Sequence, residues 1–156
     1  MYQLKPISDI AISIYFGSVQ KNISGHYYSR TFSYIEEGNK IINRIFSEKI
    51  KLEIGFFIEA LEFSSENQKK TVIFFGDSIT DGVSKTGYTR NNYPDILSAK
   101  LHENMKTSNI AVINKGICGD ILTDKGIKRY AHDVLNIKGV KHIFYLPLLL
   151  LIRSYW

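Results

Sequence analysis

The strongest constraint on this chain is the run Val72-Ile73-Phe74-Phe75 followed directly by Gly76-Asp77-Ser78-Ile79-Thr80-Asp81-Gly82. Four consecutive β-branched and aromatic residues read as a buried strand, and a glycine at its end allows a turn too sharp for a side chain. Ser78 is then expected at the carboxyl edge of a sheet, where open α/β sheets place their ligands. A solvated Ser/Asp/Gly turn between two elements is the other reading of such a segment.

From residue 71 onward the pattern alternates strand, loop and helix. Tyr93, Ile96, Leu97 and Leu101 fall at helical spacing with Pro94 near the start, which predicts a helix from Tyr93 to Asn104. Ile110 to Ile113 reads as a short buried strand. Ile127, Ala131 and Val134 mark a second amphipathic helix within Asp120 to Leu135, and Val140 to Leu146 reads as a third strand. Strands alternating with helices imply parallel pairing through crossovers, the front portion of a doubly wound sheet.

The first 65 residues differ. Ile10, Ile12, Ile14 and Phe16 alternate with Ala11, Ser13 and Tyr15, a strand pattern. Further extended stretches are expected from Tyr27 to Ile35 and from Leu52 to Phe63. The polar segment Ser64 to Lys70 reads as a linker. The expectation is a β-rich segment over 1–65 and an α/β domain over 71–156.

A chain of 156 residues with 44% apolar content supports one ordinary core. Its net charge of +5 is scattered, with no basic run, so a nucleic-acid partner is not expected. The single cysteine, Cys118, excludes an internal disulfide and a site of paired thiolates, and is expected to be a small buried residue. The N-terminus lacks the apolar core of a signal peptide, and no stretch reaches the ~18 apolar residues of a membrane span. With no address in the chain, a cytoplasmic location is the default expectation.

A serine hydroxyl becomes a useful nucleophile only when a base removes its proton and donors await the oxyanion. Ser78 supplies a hydroxyl and its own backbone N–H. A second glycine-bearing loop, Asn114-Lys115-Gly116-Ile117-Cys118-Gly119-Asp120, follows the second strand and opens a helix. Gly76 to Gly82 resembles the nucleophile block of the GDSL or SGNH hydrolase family, and Asn114 to Asp120 resembles its second block. The resemblance implies a flavodoxin-like parallel sheet, Ser78 as nucleophile of ester hydrolysis, and Gly119 as a backbone N–H donor to the oxyanion. It implies no metal or organic cofactor, and a small-molecule or carbohydrate ester, acetyl esters of carbohydrates included, as substrate. Ser8 to Tyr15 and Thr31 to Tyr34 look like the β-rich, sandwich-like region that precedes the hydrolase domain in one bacterial branch of the family. Arg129 to Leu135 and Gly139 to Ile143 look like that branch's helix and third strand.

The departures are specific. Where the family's third strand ends in G-x-N-D, this chain reads Leu146-Pro147-Leu148 and continues apolar to Trp156, and no D-x-x-H spacing occurs anywhere. His26, His102, His132 and His142 have ordinary surface or partly buried settings, and none is assigned as a base. The abrupt end of the resemblance inside a strand reads as out-of-frame sequence from about Tyr145 or Leu146. The start inside the β-rich region reads as a missing front. The expectation is therefore an incomplete flavodoxin-like hydrolase sheet, truncated at both ends and inactive by itself. A non-catalytic remnant or binding module is the rival from another class.

Overall fold

The computed structural model describes residues 5, 7–19, 21–45, 50–58, 61, 70–83 and 91–146. The chain divides into two compact units, Met1–Leu61 and Glu62–Trp156.

The first unit contains four strands of three residues each: β1 (Gly25–Tyr27), β2 (Ser33–Ile35), β3 (Ile50–Leu52) and β4 (Ile54–Phe56). They form two antiparallel pairs, β1 with β4 and β2 with β3. The strand expected at Ile10 to Phe16 is absent. This stretch makes no ladder, and both alternating sets are exposed, Ile12 at 43% and Tyr15 at 47%. Alternation specifies a strand only when a neighbour receives its hydrogen bonds and a core receives one face, and this segment has neither. The stretch from Tyr27 to Ile35 is likewise not continuous, because Tyr28 and Arg30 take left-handed backbone conformations and turn the chain between β1 and β2. Leu52 to Phe56 holds the end of β3 and all of β4, and Phe57, also left-handed, ends it. Residues 59–60 and 62–69 lie outside the described residues, and with them most of the expected linker. Lys70 belongs to the next strand.

The second unit is built around β5 (Lys70–Gly76), the central strand of a parallel sheet ordered β6-β5-β7, with β6 at Ile110–Gly116 and β7 at Val140–Leu146. Numbered within this unit the order is 2-1-3, the start of the flavodoxin-like arrangement. The unit is α/β, as the strand and helix alternation implies. Helix α2 (Tyr93–Glu103) matches its expected span to within a residue. Asn92 caps it through the Asp95 N–H at 2.9 Å, and Pro94 occupies the first turn, where its missing N–H costs no helical bond. The segment after β6 is a helix of mixed pitch: α3 (Ile127–Tyr130) between two wide π-type turns, Leu122–Gly126 and Ala131–Leu135.

The apolar run in β5 is explained by cover on both faces. Ile73 and Phe75 form the core with Val134, against which Tyr130, Ile137, Ile113, Val140 and Tyr145 pack. On the opposite face Phe74 meets Tyr93 of α2 edge-on at 5.2 Å and stacks on Phe144 at 5.0 Å. A strand with no polar face is the expected form when helices cover both sides of a parallel sheet. Two sequence expectations need correction here. Strand β6 runs three residues past Ile113, because the ladder continues until Gly116 lies opposite Gly76. In the helical segment Ile127 and Ala131 are exposed, and the buried positions are Gly126 and Val134, with Tyr130 part-buried, so the inward stripe is rotated from the one read in the sequence. Residues 147–156, the tail expected to be out of frame, lie outside the described residues.

Candidate functional site

Ser78 opens α1 (Ser78–Asp81), a single helical turn immediately beyond the carboxyl end of β5. Asp77 caps it by accepting the Ile79 N–H at 2.9 Å, and Gly82, left-handed at φ +88°, ends it. Asp77, Thr80 and Asp81 are buried, whereas Ser78 is half-buried and Ile79 exposed. Most of this polar turn therefore faces inward, and the reason lies in its partners. Thr80 Oγ1 shares a hydrogen bond with the Tyr93 hydroxyl at 2.9 Å, and its backbone carbonyl accepts from Asn114 Nδ2 at 2.8 Å. Asp81 Oδ2 accepts the backbone N–H of Cys118 at 3.0 Å.

These contacts join the two loops that the sequence singled out. Gly76 and Gly116 are partners at the ends of β5 and β6, so both loops leave the sheet at the same edge. Ile117 N–H donates to the Gly76 carbonyl at 3.1 Å, and Cys118 is held by Asp81. Gly119, the next residue, is left-handed at φ +75° and exposed. Cys118 is partly buried rather than fully so.

The glycines of this edge serve different purposes. A β-carbon at Gly116 would collide with the backbone of Thr80 and Asp81, so only glycine lets α1 lie against the end of β6. At Gly119 a β-carbon would meet nothing within 4 Å, so that position faces open space beside the turn carrying Ser78.

Sequence reasoning missed the residue that ties the edge together. Arg129 Nε donates to Asp120 Oδ2 at 2.6 Å, Nη1 to the Lys115 carbonyl and to Asp133 Oδ2, each at 2.9 Å, and Nη2 to the Gly76 carbonyl at 3.1 Å. Its guanidinium lies 4.1 Å over the Phe75 ring. A cation that is largely withdrawn from water requires paired charges and satisfied donors, and part-buried Arg129 has both. The available signal was an arginine on the side opposite the stripe read as apolar, with acidic residues nine positions before it and four after. Burial pushes the Asp133 carboxyl up, but hydrogen bonds from His132 and Arg129 and the charges of Lys115 and Arg129 outweigh it and hold it below the usual carboxylate range. Burial, with the negative charges of Asp120 and Asp77, pushes the Tyr145 phenol up. Among the described residues, no three His, Cys, Asp or Glu side chains converge to hold a metal ion, and no helix is long and apolar enough to cross a membrane.

Residues 72–146 match the GDSL-like lipase/acylhydrolase family. The resemblance read in Gly76 to Gly82 and Asn114 to Asp120 is to this family. The GDSL segment thus spans β5 through β7 and includes Ser78, Gly119 and Arg129. Among solved structures, the chain is similar to AlinE4, an SGNH-hydrolase family esterase, at 25% identity with a TM-score of 0.40, and to two of its point mutants at 24% and 25% identity with the same score. Each similarity covers 53% of this chain and 42% of the other, so this chain spans less than half the length of those relatives. No curated protein sequence matches. The GDSL segment begins after the first unit, and the likeness of Ser8 to Tyr15 and Thr31 to Tyr34 to a family module lies outside it.

Proposed function

We propose that the GDSL segment carries the nucleophile and oxyanion half of a serine-dependent carboxylic ester hydrolase, with a small-molecule or carbohydrate ester as substrate. In this reading Ser78 Oγ attacks the ester carbonyl, and the backbone N–H groups of Ser78 and Gly119 receive the oxyanion. Ser78 stands at the first position of α1, where a backbone N–H has no partner within the helix. Gly119 has the open surroundings that close approach of a substrate requires. The observation that carries the reading is the hydrogen bond from Cys118 N–H to Asp81. It links the residue before Gly119 to the turn that begins at Ser78, inside a segment that matches an acylhydrolase family.

The orienting acid and base of the reaction are not assigned, since no D-x-x-H pair occurs in these 156 residues. Removing the histidine base of a serine hydrolase costs about a millionfold in rate, so steady-state turnover of aryl esters by this chain is expected to be near background. With imidazole supplied in solution to stand in for the unassigned base, a fluorophosphonate reports the nucleophile without turnover. The expected result is a single phosphonyl adduct on Ser78 by peptide mass spectrometry, lost in Ser78→Ala. Equal labelling of the two proteins, or an adduct at another residue, would sink the assignment and favour the rival reading of a non-catalytic binding module.

A further inference from the structure

The guanidinium of Arg129 lies where the ends of β5 and β6, the loop after β6 and α3 meet. We infer that Arg129 is a positioning residue that fixes the spacing between the Ser78 and Gly119 amides, an inference that rests on their proposed roles as nucleophile and oxyanion donors. Gly76, whose carbonyl accepts from Arg129 Nη2, precedes Ser78 by two residues. The intervening residue, Asp77, is immobilised by its cap on Ile79. Asp120, bound to Nε, follows Gly119 directly, and its own N–H closes a turn onto the Ile117 carbonyl at 3.1 Å. Little slack therefore separates Arg129 from either amide.

An arginine needed only to anchor its helix would require no more than the bond to Asp133, four residues on. The remaining bonds reach the carbonyls of Gly76 and Lys115 and the carboxylate of Asp120, all on the segments that carry the two amides. The planar fork of a guanidinium can serve these divergent acceptors together, which a lysine ammonium, with three donors at one point, cannot. The Gly76 carbonyl also accepts from Ile117 N–H, so one oxygen joins the end of β5, the second loop and Arg129.

The test uses the full chain as wild type, Arg129→Lys, Asp120→Asn and, as a destabilised core control whose side chain makes none of these hydrogen bonds, Val134→Ala. Fluorophosphonate labelling of Ser78, at one fixed concentration of imidazole as external base, is resolved into its binding constant KI and its rate constant kinact, and the Ser78 and Gly119 amides are followed by nitrogen-proton correlation spectra. Because small misplacement of reacting groups is costly, Arg129→Lys is expected to lower kinact about tenfold or more with KI within about twofold, and to shift both amides together. Asp120→Asn is expected to do the same, and the double variant to lose little more than either single one. Val134→Ala is expected to lose stability yet keep kinact. A wild-type kinact in both Arg129→Lys and Asp120→Asn, or an equal fall in Val134→Ala, would overturn the inference. Absence of any Ser78 adduct in the wild type would instead defeat the nucleophile reading. The spectra would then decide the positioning role: joint shifts in Arg129→Lys but not in Val134→Ala uphold it, and unmoved amides overturn it. If Arg129→Lys fails to fold, Asp120→Asn supplies both readouts alone.

Discussion

The two units use similar apolar content in opposite ways. In the first, short strands pair two by two and its described large hydrophobic residues remain at least partly exposed. In the second, a seven-residue strand has parallel partners on both edges and helices on both faces, and Val72, Ile73, Phe74 and Phe75 are all buried. Every fully buried apolar side chain among the described residues belongs to the second unit. An apolar residue contributes to stability according to what covers it, not according to the pattern in which it is written.

Substitutions can sharpen or break this contrast, and the largest effect is expected at the polar clasp. Arg129→Met would leave Asp120, 6% exposed, as a buried carboxylate without its cation. Removing one partner of such a pair costs about 3–5 kcal/mol, so denaturant unfolding of the second unit should shift by that amount. A shift under about 1 kcal/mol, the size expected of a surface pair, would remove the clasp from the account. Next is Ile73→Ala, which empties a site with no exposed surface and should cost about 2–5 kcal/mol. Its counterpart Ile12→Ala, in the uncovered stretch of the first unit, should lie within about 0.5 kcal/mol of wild type. Equal effects at Ile73 and Ile12 would erase the contrast.

Between these extremes, Gly116→Ala forces a β-carbon against the backbone of α1 and should cost about 1–3 kcal/mol. Gly119→Ala meets only its left-handed backbone preference, about 1 kcal/mol. Thermal unfolding of the two variants should preserve that order. The smallest effect concerns acid. Asp133 is held below its ordinary range in the folded protein, so its contribution is fully present above the unfolded carboxylate pKa and lost as pH falls through the lower folded value. Asp133→Asn should therefore flatten the loss of stability on acidification below about pH 4. An unchanged acid slope would show that the His132 and Arg129 contacts do not bind the carboxylate in solution.

What could be read in advance follows the same division. Val72 to Phe75, the helix from Tyr93 and the strand from Val140 were legible because each is a local pattern whose cover the following element supplies. Ile10 to Phe16 misled because period two says only that a strand is possible; the ladder partner is not written in the segment. At the candidate site, Ser78 and Gly119 stood out by their local context, and the structure brings their loops to one edge. Arg129 did not stand out. Its contacts lie 53 residues back at Gly76 and 14 back at Lys115, and only the closed sheet brings those carbonyls together.

The unequal surroundings of Gly116 and Gly119 also bear on how such a sequence would change under mutation. Gly116 is fixed by steric exclusion, so any lineage that keeps the turn against β6 must keep it whatever else is lost. Gly119 has space for a side chain, and asparagine is the residue after glycine that most readily adopts φ near +75°. A descendant that retained the architecture without the proposed chemistry would be free to drift at 119 while remaining frozen at 116. The more permissive of the two glycines is therefore the one whose retention would record selection for the proposed oxyanion role.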